Sequence, residues 1–288
     1  MTDAPMTDAA TRAPVVDAEE ARRAKSRKIE ATARYTLPVL CMVLAIFAWD
    51  RIVAINEIPH YILPAPGLVW AYLVENWGNL TDAALLTGRI TLMALLVAVI
   101  GGAGLAILFN QSRMVELSFY PYAVILQVTP VVAIAPLIFI YVESKTVGML
   151  LCAWIVAFFP VLSSTTLGLN SVDRNLRDLF AIYRASRWQR LIHLQLPSAL
   201  PYFLGGLRIA GGLSLIGAVV AELVAGTGGV GLGLAGRIQE AGYRLNIAGM
   251  FASLSLIAAM GVFIFAALSL LSHLLLRKWH ESALKREG

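Results

Sequence analysis

The sequence predicts an all-α, polytopic membrane protein with about six transmembrane helices and one structured polar loop. Three observations support this fold class. Of the 288 residues, 58% are hydrophobic and only 14% are charged, whereas a soluble chain carries about 25% charged residues. Several apolar runs are long enough to cross roughly 30 Å of membrane hydrocarbon. Between two of these runs, the basic segment 172–196 has the pattern of two short helices.

The apolar runs predict the positions of the spans. They lie near 34–54, 87–109, 117–141, 146–169, 202–225 and 247–275. Most of the 23 Lys and Arg residues fall on one side of this arrangement, so the positive-inside rule places both termini in the cytoplasm. Residues 1–32 are polar and Ala-rich and predict a disordered cytoplasmic tail, which leaves 33–288 as one transmembrane domain.

The segment after the first span predicts a helix that lies on the membrane surface. Pro64 and Pro66 break the chain there, because proline cannot continue a regular hydrogen-bond ladder. Apolar and aromatic residues from Val69 to Trp77 then form one face. Amphipathic residues of this kind settle at the membrane interface, so we expect a short helix lying flat on the outer surface.

The polar segment 172–196 has the features of a docking surface. Apolar residues recur at three- and four-residue steps at Val172, Leu176, Leu179, Phe180 and Tyr183. Ser186 followed by Gln189 fits a capping box that starts a second helix, and Pro197 and Pro201 are expected to stop or redirect the chain. Trp, Tyr and Arg anchor many protein contacts. Alternatively, the arginines only obey the positive-inside rule, which explains the charge but not the two helices.

This segment resembles the cytoplasmic EAA loop of permeases in binding-protein-dependent ABC importers. Asp178 takes the acidic position, Ala185–Trp188 follow, and His193–Pro197 closes the motif. Leu179 and Phe180 replace the two usual alanines. Arg184 replaces the usual glycine of the turn, where positive φ is easy for glycine. The resemblance implies an ATPase-coupling role for eight residues: Asp178, Arg184, Ala185, Ser186, Arg187, Trp188, Leu196 and Pro197.

Other segments resemble the nitrate/sulfonate/taurine-type branch of the same permeases. They are Ile62–Pro66, Pro121–Leu137, Phe158–Pro160, Gly168–Asp173, Leu207–Ala210 and Ala221–Leu223. The resemblance covers about 60–280, with a family core at about 85–278. It implies a bacterial inner-membrane permease, not an enzyme, whose substrate is a small anion such as a sulfonate, taurine or nitrate. The alternative substrate is a pyrimidine- or flavin-like heterocycle.

The resemblance also implies the partners. A homodimer or a paired permease forms the pathway, two cytoplasmic ABC ATPase subunits dock on the loops, and an extracytoplasmic solute-binding protein delivers the solute. The sequence contains no G-x-x-x-x-G-K-[ST] motif, so we expect no cofactor in this chain and ATP bound by the partner subunits. Membrane lipid surrounds the spans. No nucleic-acid partner is expected, because the basic residues are not gathered on a soluble domain.

Polar side chains inside the spans are candidates for the solute pathway, since such groups tend to face the interior of a helix bundle. They are Gln127, Thr129, Pro130, Ser163 and Ser164. Glu222, near the outer end of the fifth span, is a candidate outer gate, and a salt bridge with Arg208 or Arg237 is one hypothesis. Small residues spaced by four, such as Gly206 and Ala210, favour close helix packing.

Several other patterns argue against rival functions. Gly231–Gly236 satisfies G-x-G-x-x-G, but it follows a membrane span rather than a strand, so it predicts no dinucleotide site. Cys41 and Cys152 lie in apolar runs and predict buried thiols without a disulfide or a metal site. A membrane-embedded enzyme needs a cluster of acids, His or Cys at one depth, whereas the four histidines are scattered. A stand-alone channel would not need the capped loop.

Overall fold

The computed structural model describes residues 33, 36–226 and 231–277. Over these residues the chain is helical and has no strand, which confirms the all-α class. Five helices are long and apolar enough to cross a membrane, or six if one bent pair forms a single span. The predicted tail 1–32 lies outside the described residues.

Eleven helices follow one another along the described part of the chain. They are α1 Thr36–Ile55, α2 Pro66–Glu75, α3 Trp77–Gln111, α4 Arg113–Val128, α5 Val131–Tyr141, α6 Lys145–Asn170, α7 Arg174–Ile182, α8 Arg187–Arg190, α9 Leu196–Ala225, α10 Leu234–Tyr243 and α11 Ile247–Leu276. A π-helical turn, Leu191–Gln195, joins α8 to α9. The predicted surface helix is present as α2, and its place on a membrane stays a prediction.

The chain divides into two compact units between Gly67 and Leu68. In the first unit, the residues of α1 are exposed apart from the buried Val53 and the half-buried Trp49 and Asp50. Cys41 lies on this helix and is exposed, so its predicted burial was wrong. Most side chains of α1 are exposed, so an apolar run alone did not predict the burial of this thiol. Cys152, in the second unit, is buried as predicted, and both thiols are free.

The predicted third span, 117–141, is not one straight helix. It is two helices, α4 and α5, bent by 103° at Thr129 and Pro130. Pro130 lacks the N–H that would continue α4, and a residue before proline is disfavoured in the α region. Thr129 accordingly has an extended backbone with ψ of 121°. The apolar composition of the run is continuous and does not reveal the break.

Helix α6 is the centre of the second unit and packs along both α3 and α9. The contact with α9 is close because small residues meet there. A Cβ atom at Gly206 would overlap Ser164, and one at Gly217 would overlap the backbone of Ala153. Ala210, Ser214 and Ala221 are buried on α9 as well. The spaced small residues therefore pack helices within the chain, as the sequence indicates.

The core also fixes the position of the polar loop. A buried apolar cluster extends from Leu95 and Phe158 to Leu169 and Leu191, the last of which belongs to the π-helical turn. Val172 and Leu194 are buried beside it. Because both ends of the 172–196 segment carry buried apolar side chains, the segment is anchored to the ends of the long helices and does not hang free in water.

Candidate coupling surface, pathway and outer anchor

The segment 172–196, which we call the coupling loop, contains the two predicted short helices. Asp173 caps α7, because its Oδ1 accepts hydrogen bonds from the backbone N–H groups of Asn175 and Leu176 at 2.8 and 3.4 Å. The predicted capping box starts α8. Ser186 Oγ accepts from the Gln189 N–H at 3.2 Å, and Gln189 Oε1 accepts from the Ser186 N–H at 2.7 Å. Both helix starts are therefore set by side chains of the loop itself.

Arg184 makes the turn between α7 and α8 despite replacing the usual glycine. Its φ is 51°, in the left-handed region. The backbone N–H of Ala185 donates to the carbonyl of Phe180 at 2.9 Å, which closes the turn. The left-handed conformation costs a non-glycine residue roughly 1–2 kcal/mol. The turn is kept, and Arg184 carries local backbone strain.

Helix α9 begins without the interruption expected at Pro197 and Pro201, so that prediction was wrong. Residues Arg187–Ala225 form one continuous helical segment. Leu196 begins α9 and Pro197 lies in its first turn. The preceding π-helical turn shifts the hydrogen bonding, since the Leu196 N–H donates to the carbonyl of Leu191. Local π-helical turns are one way in which a helix accommodates an irregular residue, and this one directly precedes Pro197.

Part of the apolar stripe of the coupling loop faces outward, whereas Val172 is buried and Phe180 is half-buried. Tyr183 is 78% exposed and Trp188 is 68% exposed, and Leu176 and Leu179 are exposed too. Beside them lies an open groove of about 380 Å³, which we call the coupling groove. Its lining is Leu179, Phe180, Tyr183, Ala185, Gln189 and His193. Exposed aromatic and apolar residues grouped in this way mark a contact surface for another molecule.

The candidate pathway residues fall into two groups. Gln127, Thr129 and Pro130 lie at the bend between α4 and α5, where the Gln127 side chain is exposed and Thr129 Oγ1 donates to the Ile125 carbonyl at 2.7 Å. Ser163 Oγ donates to the carbonyl of Pro160 at 3.4 Å. Ser164 packs against Gly206 in the contact between α6 and α9. Gln127, Thr129 and Pro130 therefore lie together at the bend, whereas Ser164 lies in the contact between α6 and α9.

Glu222 is 3% exposed and binds the start of α10. Its Oε1 accepts from Thr87 Oγ1 at 2.7 Å, and its Oε2 accepts from the backbone N–H of Ala235 at 2.9 Å. Thr87 Oγ1 in turn accepts from the N–H of Leu234 at 2.9 Å. We call Thr87, Glu222 and residues 233–235 the outer anchor, after the side on which the sequence predicts it. Two side chains from α3 and α9 thus hold the first turn of α10.

The predicted salt bridges of Glu222 were wrong. Arg237 pairs with Glu240 at 3.0 Å, and the guanidinium of Arg208 lies over the Phe265 ring at 5.7 Å. A carboxylate at a helix start is satisfied by backbone N–H groups, which removes the need for a guanidinium. Thr87 was missed by sequence reasoning. Gly233 completes the site, because a Cβ atom there would overlap the Glu222 carboxylate.

Residues 98–280 match the family model described as binding-protein-dependent transport system inner membrane component. The match covers well over half of the chain. This chain belongs to that family. It is a multi-pass inner-membrane permease of an ABC importer, and a permease of this kind works with ATPase and binding-protein partners.

The relatives of this permease are transport proteins with different named substrates. The riboflavin transport system permease protein RibX of Chloroflexus aurantiacus is 34% identical over 85% of this chain and 90% of its own length. The formylaminopyrimidine transport permease protein ThiX of Halalkalibacterium halodurans is 29% identical over 83% and 94%. The taurine transport system permease protein TauC of Escherichia coli is 29% identical over 85% and 90%. These relatives are permease components and not enzymes.

A solved structure shows the same fold. In the crystal structure of an amino acid ABC transporter with histidines, one chain matches this permease with a TM-score of 0.58 and 18% identity. The match covers 72% of this permease and 97% of that chain. The two chains therefore share a fold over the matched part of this permease.

Proposed function

We propose that this permease forms half of a solute pathway and transmits ATP hydrolysis to it through the coupling loop. The observation that carries the proposal is the exposed apolar surface around Tyr183 and Trp188 beside the coupling groove. Two ATPase subunits would each receive one such loop, and each ATPase, rather than the permease, would bind ATP. Asp178, Arg184, Ala185, Ser186, Arg187, Trp188, Leu196 and Pro197 are proposed to serve this coupling.

The proposed orientation places the coupling loop and both termini in the cytoplasm. The excess of Lys and Arg on that side supports it. A reporter fused after Gly288 should then behave as cytoplasmic, and one inserted near Asn79 should behave as external. The opposite labelling would reverse the assignment of the coupling loop and remove the basis for ATPase docking.

The exposed face of α9 is proposed as the contact with a second permease. Gly205, Ile209, Gly212 and Ile216 are exposed along it, and nothing lies within 4 Å of a Cβ atom built at either glycine. The opposite face is already occupied by α6. A cysteine at Ile209 should crosslink two copies, whereas one at the buried Ala210 should not. Equal crosslinking at both positions would contradict this interface.

The bend between α4 and α5 is proposed to line the pathway. Non-helical backbone at membrane depth is tolerated where it is buried in protein or lines a watery cavity, and broken helices form the binding sites of many transporters. Gln127, Thr129 and Pro130 lie there. Ser163 is retained as a more distant pathway candidate. Ser164 is retained too, although its packing against Gly206 supports a structural role.

The outer anchor is proposed to control the outer gate. Glu222 and Thr87 connect α10 to the spans α9 and α3, so movement of α10 would change the contacts of both spans. The binding protein would act on this side of the membrane. Glu222 would hold α10 in position and would not contact the solute.

Two substrate classes are proposed, and one assay separates them. A small anion is supported by the resemblance in sequence and by the taurine relative. A flavin- or pyrimidine-like heterocycle is supported by the riboflavin and formylaminopyrimidine relatives. Vesicles containing the permease, its ATPase and its binding protein should accumulate labelled taurine or labelled riboflavin only when ATP is supplied on the ATPase side. Uptake without ATPase would favour a stand-alone channel and contradict the proposal.

A further inference from the structure

A second cavity of about 410 Å³ borders the coupling loop and shares no lining residue with the coupling groove. Three guanidinium groups line it, those of Arg177 on α7 and of Arg187 and Arg190 on α8. We call it the arginine cavity. Asn110 at the end of α3 and Asn170 at the end of α6 form its opposite wall. It therefore lies where the coupling loop meets the ends of two long helices.

The charge of the arginine cavity is not balanced by its own walls. No Asp or Glu is among the described residues that line it, and within the described chain none of the three arginines forms an ion pair. The C-termini of α3 and α6 each contribute about half a negative charge. Two such ends offset roughly one of the three positive charges, so an excess of about two remains.

The hydrogen-bonding capacity of these arginines is also largely unused. Arg190 Nε is buried and has no partner among the described residues. Arg187 Nη1 donates to the carbonyl of Gln111 at 3.5 Å, which is longer than the usual 2.7–3.2 Å. A guanidinium presents five N–H donors in a planar fork. Several of these donors therefore remain available to an acceptor in the cavity.

We infer that the arginine cavity binds an oxyanion of the phosphate class, supplied either by the headgroup of an anionic phospholipid or by free phosphate. A guanidinium can donate two parallel hydrogen bonds to the oxygens of one phosphate. A phosphate would therefore accept the unused hydrogen bonds and balance the positive charge of the three arginines. Basic pockets at the cytoplasmic ends of membrane helices are known sites for anionic headgroups. The placement of this cavity at the cytoplasmic surface rests on the proposed function.

A bound oxyanion would join the two short helices. It would contact Arg177 on α7 together with Arg187 and Arg190 on α8, and so hold both against the ends of α3 and α6. The coupling groove, including Tyr183 and Gln189, would stay open for the ATPase. The oxyanion would then stiffen the coupling loop and leave the coupling groove free.

The test uses the full-length permease in nanodiscs, without ATPase, and measures amide hydrogen exchange over 174–190. In one arm phosphatidylglycerol replaces part of the phosphatidylcholine. In the other, inorganic phosphate is added to pure phosphatidylcholine discs against chloride at equal ionic strength. One charge-assisted contact should slow exchange by about fivefold or more. A response to the lipid alone identifies a headgroup, and a response to phosphate alone identifies the free anion.

Matched arginine variants decide whether the response belongs to this cavity. Arg177→Gln and Arg190→Gln should each abolish the slowing, whereas Arg174→Gln, an exposed arginine of α7 outside the cavity, should retain it. Arg177 is itself exposed, so its variant should fold even if Arg190→Gln does not. No slowing in either arm, or equal loss in Arg174→Gln, would overturn the inference.

A separate binding measurement addresses a protein occupant. If Arg177→Gln weakens ATPase binding and leaves the lipid and phosphate responses unchanged, the cavity receives a carboxylate of the ATPase, and the inference is overturned. Because the exchange experiment contains no ATPase, its failure leaves the proposed coupling function intact. Loss of ATPase docking, conversely, would not alter the exchange result.

Discussion

The coupling loop leaves Tyr183 and Trp188 78% and 68% exposed, whereas the outer anchor buries the Glu222 carboxylate to 3% exposure. Each region contains a group that is energetically unfavourable by itself: exposed aromatic side chains in the loop and a buried carboxylate in the anchor. Exposed aromatic surface is unfavourable in water unless another molecule covers it. A buried carboxylate is unfavourable unless the same chain supplies its hydrogen bonds. The exposed surface of the loop therefore supports the proposed docking of a partner, whereas the hydrogen bonds of the anchor come from the same chain.

This contrast separates the expected consequences of mutation. Changes in the outer anchor should reduce the stability of the isolated permease. Changes on the surface of the coupling loop should leave that stability unchanged and reduce assembly with the ATPase. A change that produces the opposite result in either region would break the contrast.

The largest effect on stability is expected for Glu222→Ala. The substitution removes the acceptor of the buried Ala235 N–H, whereas Thr87 Oγ1 can still donate to the Ala83 carbonyl at 3.2 Å. A buried donor without a partner costs about 1–3 kcal/mol, so we expect a loss of up to about 3 kcal/mol in thermal unfolding of the purified permease. Thr87→Val should be destabilising too, because it removes the bonds to Glu222 and Leu234.

A glycine pair tests whether the anchor depends on close packing. Gly233→Ala places a Cβ atom into the Glu222 carboxylate, whereas Gly104→Ala, on α3, meets open space. Overpacking of a filled site costs about 1–3 kcal/mol. We expect a clear fall in the unfolding temperature for Gly233→Ala and no fall for Gly104→Ala. Similar unfolding temperatures for the two variants would show that α10 is not held in this way.

Loss of the capping box should destabilise the start of α8 only, and by less than the changes in the outer anchor destabilise the whole protein. Ser186→Ala removes the acceptor of the Gln189 N–H, and a lost cap costs about 1 kcal/mol. We expect exchange of the α8 amides to be about fivefold faster, with unchanged global unfolding. Ser186→Thr keeps a hydroxyl and should restore most of the protection. If alanine and threonine behave alike, the hydroxyl does not hold this helix start.

Replacing Arg184 should stabilise its turn, whereas the substitutions described above are destabilising. Glycine adopts a φ of 51° without the steric cost that arginine meets. Arg184→Gly should therefore stabilise the turn by about 1 kcal/mol and slow exchange of the Ala185 N–H, which closes it. Ala181→Gly, inside α7, is the control and should speed exchange. Faster exchange in Arg184→Gly would mean that the arginine side chain, and not the backbone, stabilises the turn.

Local patterns predicted the parts of this molecule that depend on near neighbours. The Ser186–Gln189 cap is set by residues three apart, and the long spans follow from apolar composition. The break at Pro130 was not predictable in this way. Pro121 and Pro136 lie inside α4 and α5 without ending them, so proline alone does not mark a bend. Tertiary packing decides which proline interrupts a helix.

The outer anchor shows why a site can be only partly predicted. The sequence indicates Glu222 as a candidate because it is a carboxylate inside a span. Its partner Thr87 lies 135 residues away, and no periodic pattern connects two positions at that distance. The arginines of the coupling loop were likewise predicted as one basic group. Their division between the loop surface and the arginine cavity depends on how α8 packs against the helix ends.

The most direct test of the coupling role compares two tryptophans of similar exposure. Trp188 is on the coupling loop, whereas Trp70, on α2, lies outside it and is 66% exposed. The affinity of the partner ATPase for the full-length permease in nanodiscs would be measured for Trp188→Ala and Trp70→Ala. Interface anchors contribute about 2–4 kcal/mol, so Trp188→Ala should weaken binding by about 30- to 1000-fold, with unchanged insertion and dimerisation. Trp70→Ala should bind normally, and unchanged binding by Trp188→Ala, or equal weakening in both variants, would contradict the account.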